Sequence, residues 1–137
     1  MKLKIAHMYP DLLNLYGDYG NILSLKRRCE WRNIEVEVCE YSLNDTVNFD
    51  ETDIFYIGGG TDKEQLAVCE KMKEYKDELK NYVEKNGVVM ALCGGYQILG
   101  NYIKIKDDIT QCLGILDIHT EISRACRRGS RSPGRAR

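Results

Sequence analysis

No stretch of this sequence stays apolar for anything like the roughly 18 residues of a membrane-spanning helix. It contains neither a Gly-x-Gly-x-x-Gly pattern nor a P-loop, so it offers no recognisable nucleotide cradle. The six cysteines, at 29, 39, 69, 93, 112 and 126, include no Cys-x-x-Cys pair. The two histidines, His7 and His119, lack neighbours at ligand spacing, which argues against a metal site. Residues 1–6 enter a strand-like run at once and lack the apolar region of a signal peptide. The cysteines are therefore expected to be reduced thiols of a cytoplasmic protein.

Lysine is missing after Lys106, and acid is missing from the end of the chain. Residues 1–123 carry 14 basic and 21 acidic side chains, whereas residues 124–137 carry six arginines and no acid. The net charge of −1 hides this split. The tail has no apolar periodicity and uses a different basic residue from the body. It is expected to be disordered or foreign to the domain. Residues 1–122 then form one domain, and the whole chain's 43% apolar and 30% charged residues are the balance of a soluble globular protein. No nucleic-acid partner and no direct membrane insertion are expected.

Alternation followed by an apolar run predicts a strand over residues 2–8, ended by Tyr9-Pro10. Tyr16-Gly17-Asp18-Tyr19-Gly20-Asn21 is turn chemistry, with Asn21 as the expected cap of a following helix that stops at Asn33. Residues 34–41 alternate apolar and acidic, the pattern of a half-exposed strand near a sheet edge. Residues 53–57 form a third strand, ending in Gly58-Gly59-Gly60. Thr61 or Asp62 caps a helix expected to run about 24 residues to Asn86-Gly87. Residues 88–92 are a fourth strand, 98–106 a helix end and a short alternating segment, and 112–118 a further strand. This order predicts an α/β fold: three layers, with a mostly parallel sheet.

The other elements are organised around residues 87–100. Val88 to Leu92 read as a strand covered on both faces. Cys93 follows, then Gly94-Gly95, which permit a sharp reversal into a helix. A cysteine there stands at the carboxyl end of the sheet, beside a helix N-terminus that favours thiolate. This is the geometry of a nucleophile elbow with sulfur in place of oxygen. A small buried cysteine in a tight turn fits the same spacing. The triple glycine at 58–60 reads as a plain turn, a phosphate cradle or a set of oxyanion donors. Gln97, one helical turn past Cys93, is either a solvent-facing residue or an amide aimed at a polar ligand.

Leu92-Cys93-Gly94-Gly95-Tyr96-Gln97 resembles the nucleophile segment of class I, triad-type glutamine amidotransferase domains. Residues 9–21 (YPDLLNLYGDYGN) and Gly58-Gly59-Gly60-Thr61-Asp62 narrow the resemblance to the cobyric-acid-synthase-like group. Within it, the GatD-type glutaminase subunit of lipid II isoglutaminyl synthase is the most similar branch. The resemblance covers residues 2 to about 122. It implies a flavodoxin-like sheet with a nucleophile elbow, incomplete at its C-terminal end. Cys93 would attack the side-chain amide of glutamine, release ammonia and form a glutamyl thioester for water to hydrolyse. Backbone N–H groups of the 58–60 turn, those of Gly59 and Gly60, together with Gly94 would form the oxyanion hole. Gln97 would hold the substrate. No cofactor is implied. Ammonia would pass to a Mur-ligase-like, ATP-dependent synthetase subunit that amidates the D-glutamate of lipid II to D-isoglutamine. The group's basic histidine lies downstream of the elbow, beyond the matched stretch. Neither His7 nor His119 takes its place, so the nucleophile is expected without its dyad partner. A cobyrinate-type amidotransferase domain and a degraded, partner-binding copy are the alternatives.

Overall fold

The computed structural model describes residues 1–15 and 17–122; the arginine-rich segment lies outside the described residues. Four parallel strands form the main sheet: β1 (Lys2–Met8), β2 (Glu35–Tyr41), β3 (Ile54–Ile57) and β4 (Val88–Ala91). Their order is β2-β1-β3-β4. Helix α1 (Asp18–Glu30) links β1 to β2. Helices α2 (Asp62–Met72) and α3 (Lys76–Glu84) link β3 to β4. A short α4 (Gly94–Ile98) follows β4. A second, mixed sheet comprises β5 (Tyr102–Ile105), β6 (Asp108–Gln111) and β7 (His119–Ile122), in the order β6-β5-β7.

Strand periodicity assigns the two faces of the main sheet. Ile5 and Tyr56 point toward α1 and pack with Ile22, Leu25, Val36, Val38 and Met90. Ala6, Met8, Phe55 and Ile57 point the other way, onto Val68, Cys69, Met72 and Leu79 of α2 and α3. The alternation of β2 places it at one edge, as its half-exposed pattern predicts.

Three local expectations differ from the structure. The helix after the triple glycine is not continuous, because a 3-10 turn at Lys73–Tyr75 separates α2 from α3. Neither glycine nor proline marks this break. It accompanies the docking of Tyr75 against Phe49, with the Tyr75 hydroxyl donating to the Asp45 carbonyl at 3.2 Å. Residues 112–118 are a loop rather than a strand. Their N–H groups are spent on the preceding turn: Cys112 on Asn101 O, Leu113 on Ile98 O, Gly114 on Gly100 O, Ile115 and Leu116 on Leu99 O. Helix α1 starts at Asp18, not after Asn21. Gly17 precedes it at φ 76°, and Asn21 lies inside the helix, where its amide donates to the Tyr56 hydroxyl at 2.9 Å.

Candidate active site

Cys93 sits between β4 and α4 with φ 50° and ψ −115°. A non-glycine residue at positive φ is costly, of order 1–3 kcal/mol, and persists only where its surroundings hold it. Here the Leu92 N–H donates to Ile57 O and the Gly95 N–H to Gly58 O, each at 2.9 Å. These bonds tie both sides of Cys93 to the end of β3. Gly95 is required for this approach, since a Cβ there would lie 2.4 Å from Ile57 O. The thiol is exposed while Gly94 and Gly95 beneath it are buried. The strand-to-helix elbow read from the sequence is therefore present, and its two glycine turns are adjacent.

The Gly58–Gly60 turn is fastened from two directions. The Gly59 carbonyl accepts the Leu15 N–H at 3.0 Å. A Cβ on Gly60 would meet Leu12 O at 2.8 Å. The segment after β1 thus lies across the ends of the strands and packs on the turn. The Tyr9 N–H anchors that segment to Tyr41 O at 2.7 Å. Tyr9 itself is buried at φ 54°.

From the other side, the Asp18 carboxyl accepts the Tyr56 hydroxyl at 3.0 Å and the Gly59 N–H at 3.3 Å. Asp18 is only 2% exposed, at the start of α1. Burial and the neighbouring Asp18 push the Tyr56 hydroxyl up to about 12, so it stays a neutral donor. Of the three N–H groups named from the sequence, that of Gly59 is thus already engaged. The Gly94 N–H opens α4, a position without an intrahelical acceptor.

Gln97 is half-buried one turn beyond Cys93, and its N–H donates to Cys93 O at 3.2 Å. Its side-chain oxygen accepts from Gln65 Nε2 at 2.7 Å. Gln65 is 6% exposed and crosses from α2 over Gly94; a Cβ on Gly94 would lie 2.6 Å from Gln65 Oε1. Sequence reasoning passed over both Asp18 and Gln65. For Gln65 a signal existed: it heads the i, i+3, i+4, i+7 stripe completed by Val68, Cys69 and Met72, all buried. An amide at the head of an apolar stripe needs a partner. Asp18 carried no comparable mark within its turn-forming segment.

The histidines lie elsewhere. His7 is fully buried in β1, on the α1 side of the sheet, edge-on to Tyr56 at 5.3 Å, and neither ring nitrogen has a hydrogen-bond partner among the described residues. His119 begins β7 and stacks on Tyr102 at 4.9 Å. No helix among the described residues is long and apolar enough to cross a membrane.

A parallel α/β sheet with a strained cysteine at its carboxyl end, beside a glycine turn, defines a nucleophile-elbow protein. The chain belongs to the CobB/CobQ-like glutamine amidotransferase domain family, whose model matches residues 4–135. It is 44% identical over 121 residues to the lipid II isoglutaminyl synthase (glutamine-hydrolyzing) subunit GatD of Staphylococcus aureus, covering 88% of this chain and 50% of that protein. Against the subunit of the same name from Streptococcus pneumoniae the identity is 39%, covering 87% of this chain and 46% of the relative. A cobyric acid synthase of Clostridium acetobutylicum is 30% identical, over 64% of this chain and 19% of its own length. The chain thus spans about half the length of the GatD relatives. The crystal structure of a putative peptidase E protein from Listeria monocytogenes shares the fold at TM-score 0.59 and 12% identity, covering 84% of this chain and 63% of that one.

Proposed function

We propose that this chain carries the nucleophile portion of a glutaminase that supplies ammonia for the amidation of lipid II. The strained backbone of Cys93, which holds an exposed cysteine at the carboxyl end of β4 beside the Gly58–Gly60 turn, is the observation that carries this reading, since such strain gathers at active sites. The likeness to GatD supports the choice of substrate.

In this mechanism the Cys93 sulfur attacks the side-chain carbonyl carbon of glutamine. The negative charge that develops on oxygen is met by the N–H groups of Gly94 and Gly60, joined by Gly59 where its N–H leaves Asp18. One such donor contributes about 2.7–4 kcal/mol to the transition state. Collapse of the tetrahedral adduct breaks the C–N bond as the nitrogen takes up the proton given up by the thiol, and ammonia leaves. Water then cleaves the thioester to glutamate. Gln97 holds the substrate through its amide. The thiol proton needs an acceptor. His7 is packed among rings inside the sheet and His119 is stacked on Tyr102, so the reading assigns that role to a group outside residues 1–122. The partner is a Mur-ligase-like, ATP-dependent subunit that receives the ammonia and amidates D-glutamate of the stem peptide, in the cytoplasm.

The test is an amidation assay with that partner and lipid II. Glutamine should support product formation and Cys93→Ala should abolish it, while ammonium chloride should restore product to the variant. Glutamine-driven amidation that survives Cys93→Ala would sink the proposal.

A further inference from the structure

We propose that Gln65 is a positioning residue that fixes which end of the Gln97 amide faces the ligand; the inference rests on the reading of Cys93 and Gln97 given above. Gln65 Nε2 donates to Gln97 Oε1 at 2.7 Å. That bond occupies the acceptor end of the Gln97 side chain and leaves its two N–H donors for the site. The orientation of Gln65 is itself determined. Its oxygen lies over Gly94, 2.6 Å from where a Cβ on that residue would stand, in space that only a glycine leaves open. Its nitrogen is therefore the end that reaches Gln97.

Two features make the arrangement rigid. Gln65 is 6% exposed, so its amide has little access to water as an alternative partner. Its backbone is held in the first turn of α2, where its N–H donates to Thr61 O at 2.8 Å. The same turn is closed by a capping box: the Thr61 side chain accepts from the Glu64 N–H, and the Glu64 side chain accepts from the Thr61 N–H. The Gly58–Gly60 turn, the cap and Gln65 therefore form one continuous support beneath α4. The glycine at 94 is what lets this amide cross to Gln97, because a Cβ would stand only 2.6 Å from its oxygen.

The consequence is chemical selectivity. A Gln97 amide that presents donors binds an acceptor, such as the carboxylate of an amino-acid substrate. A reversed amide would present its oxygen and repel that group. Gln65 thereby selects ligands that carry a carboxylate at this point, without touching them.

The test uses a chloroketone analogue of glutamine, which alkylates a thiolate with loss of chloride, alongside iodoacetamide, which reports thiol reactivity alone. Gln65→Met removes the donor and keeps the length. Gln65→Glu, assayed at pH 8.5 as the carboxylate, keeps a hydrogen bond but only as acceptor, so Gln97 must reverse. Both should raise the half-saturating chloroketone concentration about tenfold, with the maximal inactivation rate and the iodoacetamide rate within twofold of the parent. A packing role alone would leave Gln65→Glu close to the parent, and that result overturns the proposal. Side-chain amide hydrogen exchange gives a readout independent of reactivity. Gln65 Nε2 protons should exchange more slowly than those of Gln97, and Gln97→Ala, which removes their acceptor, should speed exchange at Gln65. Slower exchange at Gln97 than at Gln65 overturns the proposal even if the parent chain is not alkylated. Absence of alkylation with Gln65 protected overturns the nucleophile reading instead and supports the orientation.

Discussion

The N–H of Gly95 donates to the carbonyl oxygen of Gly58 at 2.9 Å, joining the first turn of α4 to the end of β3. This one bond makes the two glycine turns a single structure. The backbone of Cys93, strained between them, therefore depends on β3 as much as on its own strand.

Gly95→Ala tests that dependence. The added Cβ would meet Ile57 O at 2.4 Å and Gly58 O at 2.8 Å, both backbone atoms that cannot move aside alone. The expected loss is about 1–3 kcal/mol of folding stability, the range for overpacking. Urea unfolding should show a lower midpoint with little change in slope. An unchanged midpoint would mean that α4 is not docked as described.

Asp18→Ala should loosen the other turn. It removes the acceptor for the Tyr56 hydroxyl and the Gly59 N–H. Each buried donor left without an acceptor costs about 1–3 kcal/mol, although the Tyr56 oxygen still accepts from the Asn21 amide. Asp18→Asn keeps an acceptor oxygen and should fall between the parent and Asp18→Ala in thermal unfolding. If both variants match the parent, Asp18 does not hold the turn.

His7 gives the fold a pH dependence. Burial holds its pKa below the ordinary value, with the charges of Glu40 and Asp18 only partly offsetting this. The unfolded chain therefore binds a proton that the folded chain resists. The neutral imidazole's contribution is fully present above the unfolded pKa, about 6.5, and is lost as pH falls from there toward the folded value. The melting temperature should drop between pH 7.5 and 5.5. His7→Leu should reduce that drop, with little cost at pH 7.5, since neither ring nitrogen has a partner to lose among the described residues. A pH profile unchanged by the substitution would contradict this.

Much of this arrangement was legible in the sequence. Residues 53–57 declare themselves because a parallel strand covered on both faces is short and apolar. Residues 88–92 read the same way, yet among the described residues β4 is an edge strand and is not buried on both faces, with Val88 exposed and the rest half-buried. Cys93-Gly94-Gly95 declares itself because only small residues permit so tight a reversal. What was not legible depends on distant partners. Asp18 acquires its role from Tyr56, 38 residues away, and Gln65 from Gln97, 32 residues away. The apolar run at 112–118 looks like a strand until its N–H groups are seen to be taken by residues 98–101. The break at Lys73–Tyr75 has no breaker residue and accompanies the docking of Tyr75 on residues distant in sequence.

Thiol reactivity should sort the cysteines by their surroundings. Cys69 and Cys112 are buried, and the Cys69 sulfur donates to that of Cys112 at 3.3 Å. That hydrogen bond and burial raise the Cys69 pKa far above its ordinary range. Brief iodoacetamide treatment of the native chain, followed by peptide mass spectrometry, should modify Cys93 and spare this pair. Urea should expose both. Early modification of Cys69 would mean that α2 does not pack on the loop after β6.

The most direct test of the nucleophile assignment is covalent labelling by a chloroketone analogue of glutamine. The parent chain should gain one adduct, located at Cys93, at a rate that saturates with reagent and is slowed by free glutamine. Cys93→Ala should gain none. An adduct that forms without saturation, is indifferent to glutamine or appears at another cysteine would contradict the assignment.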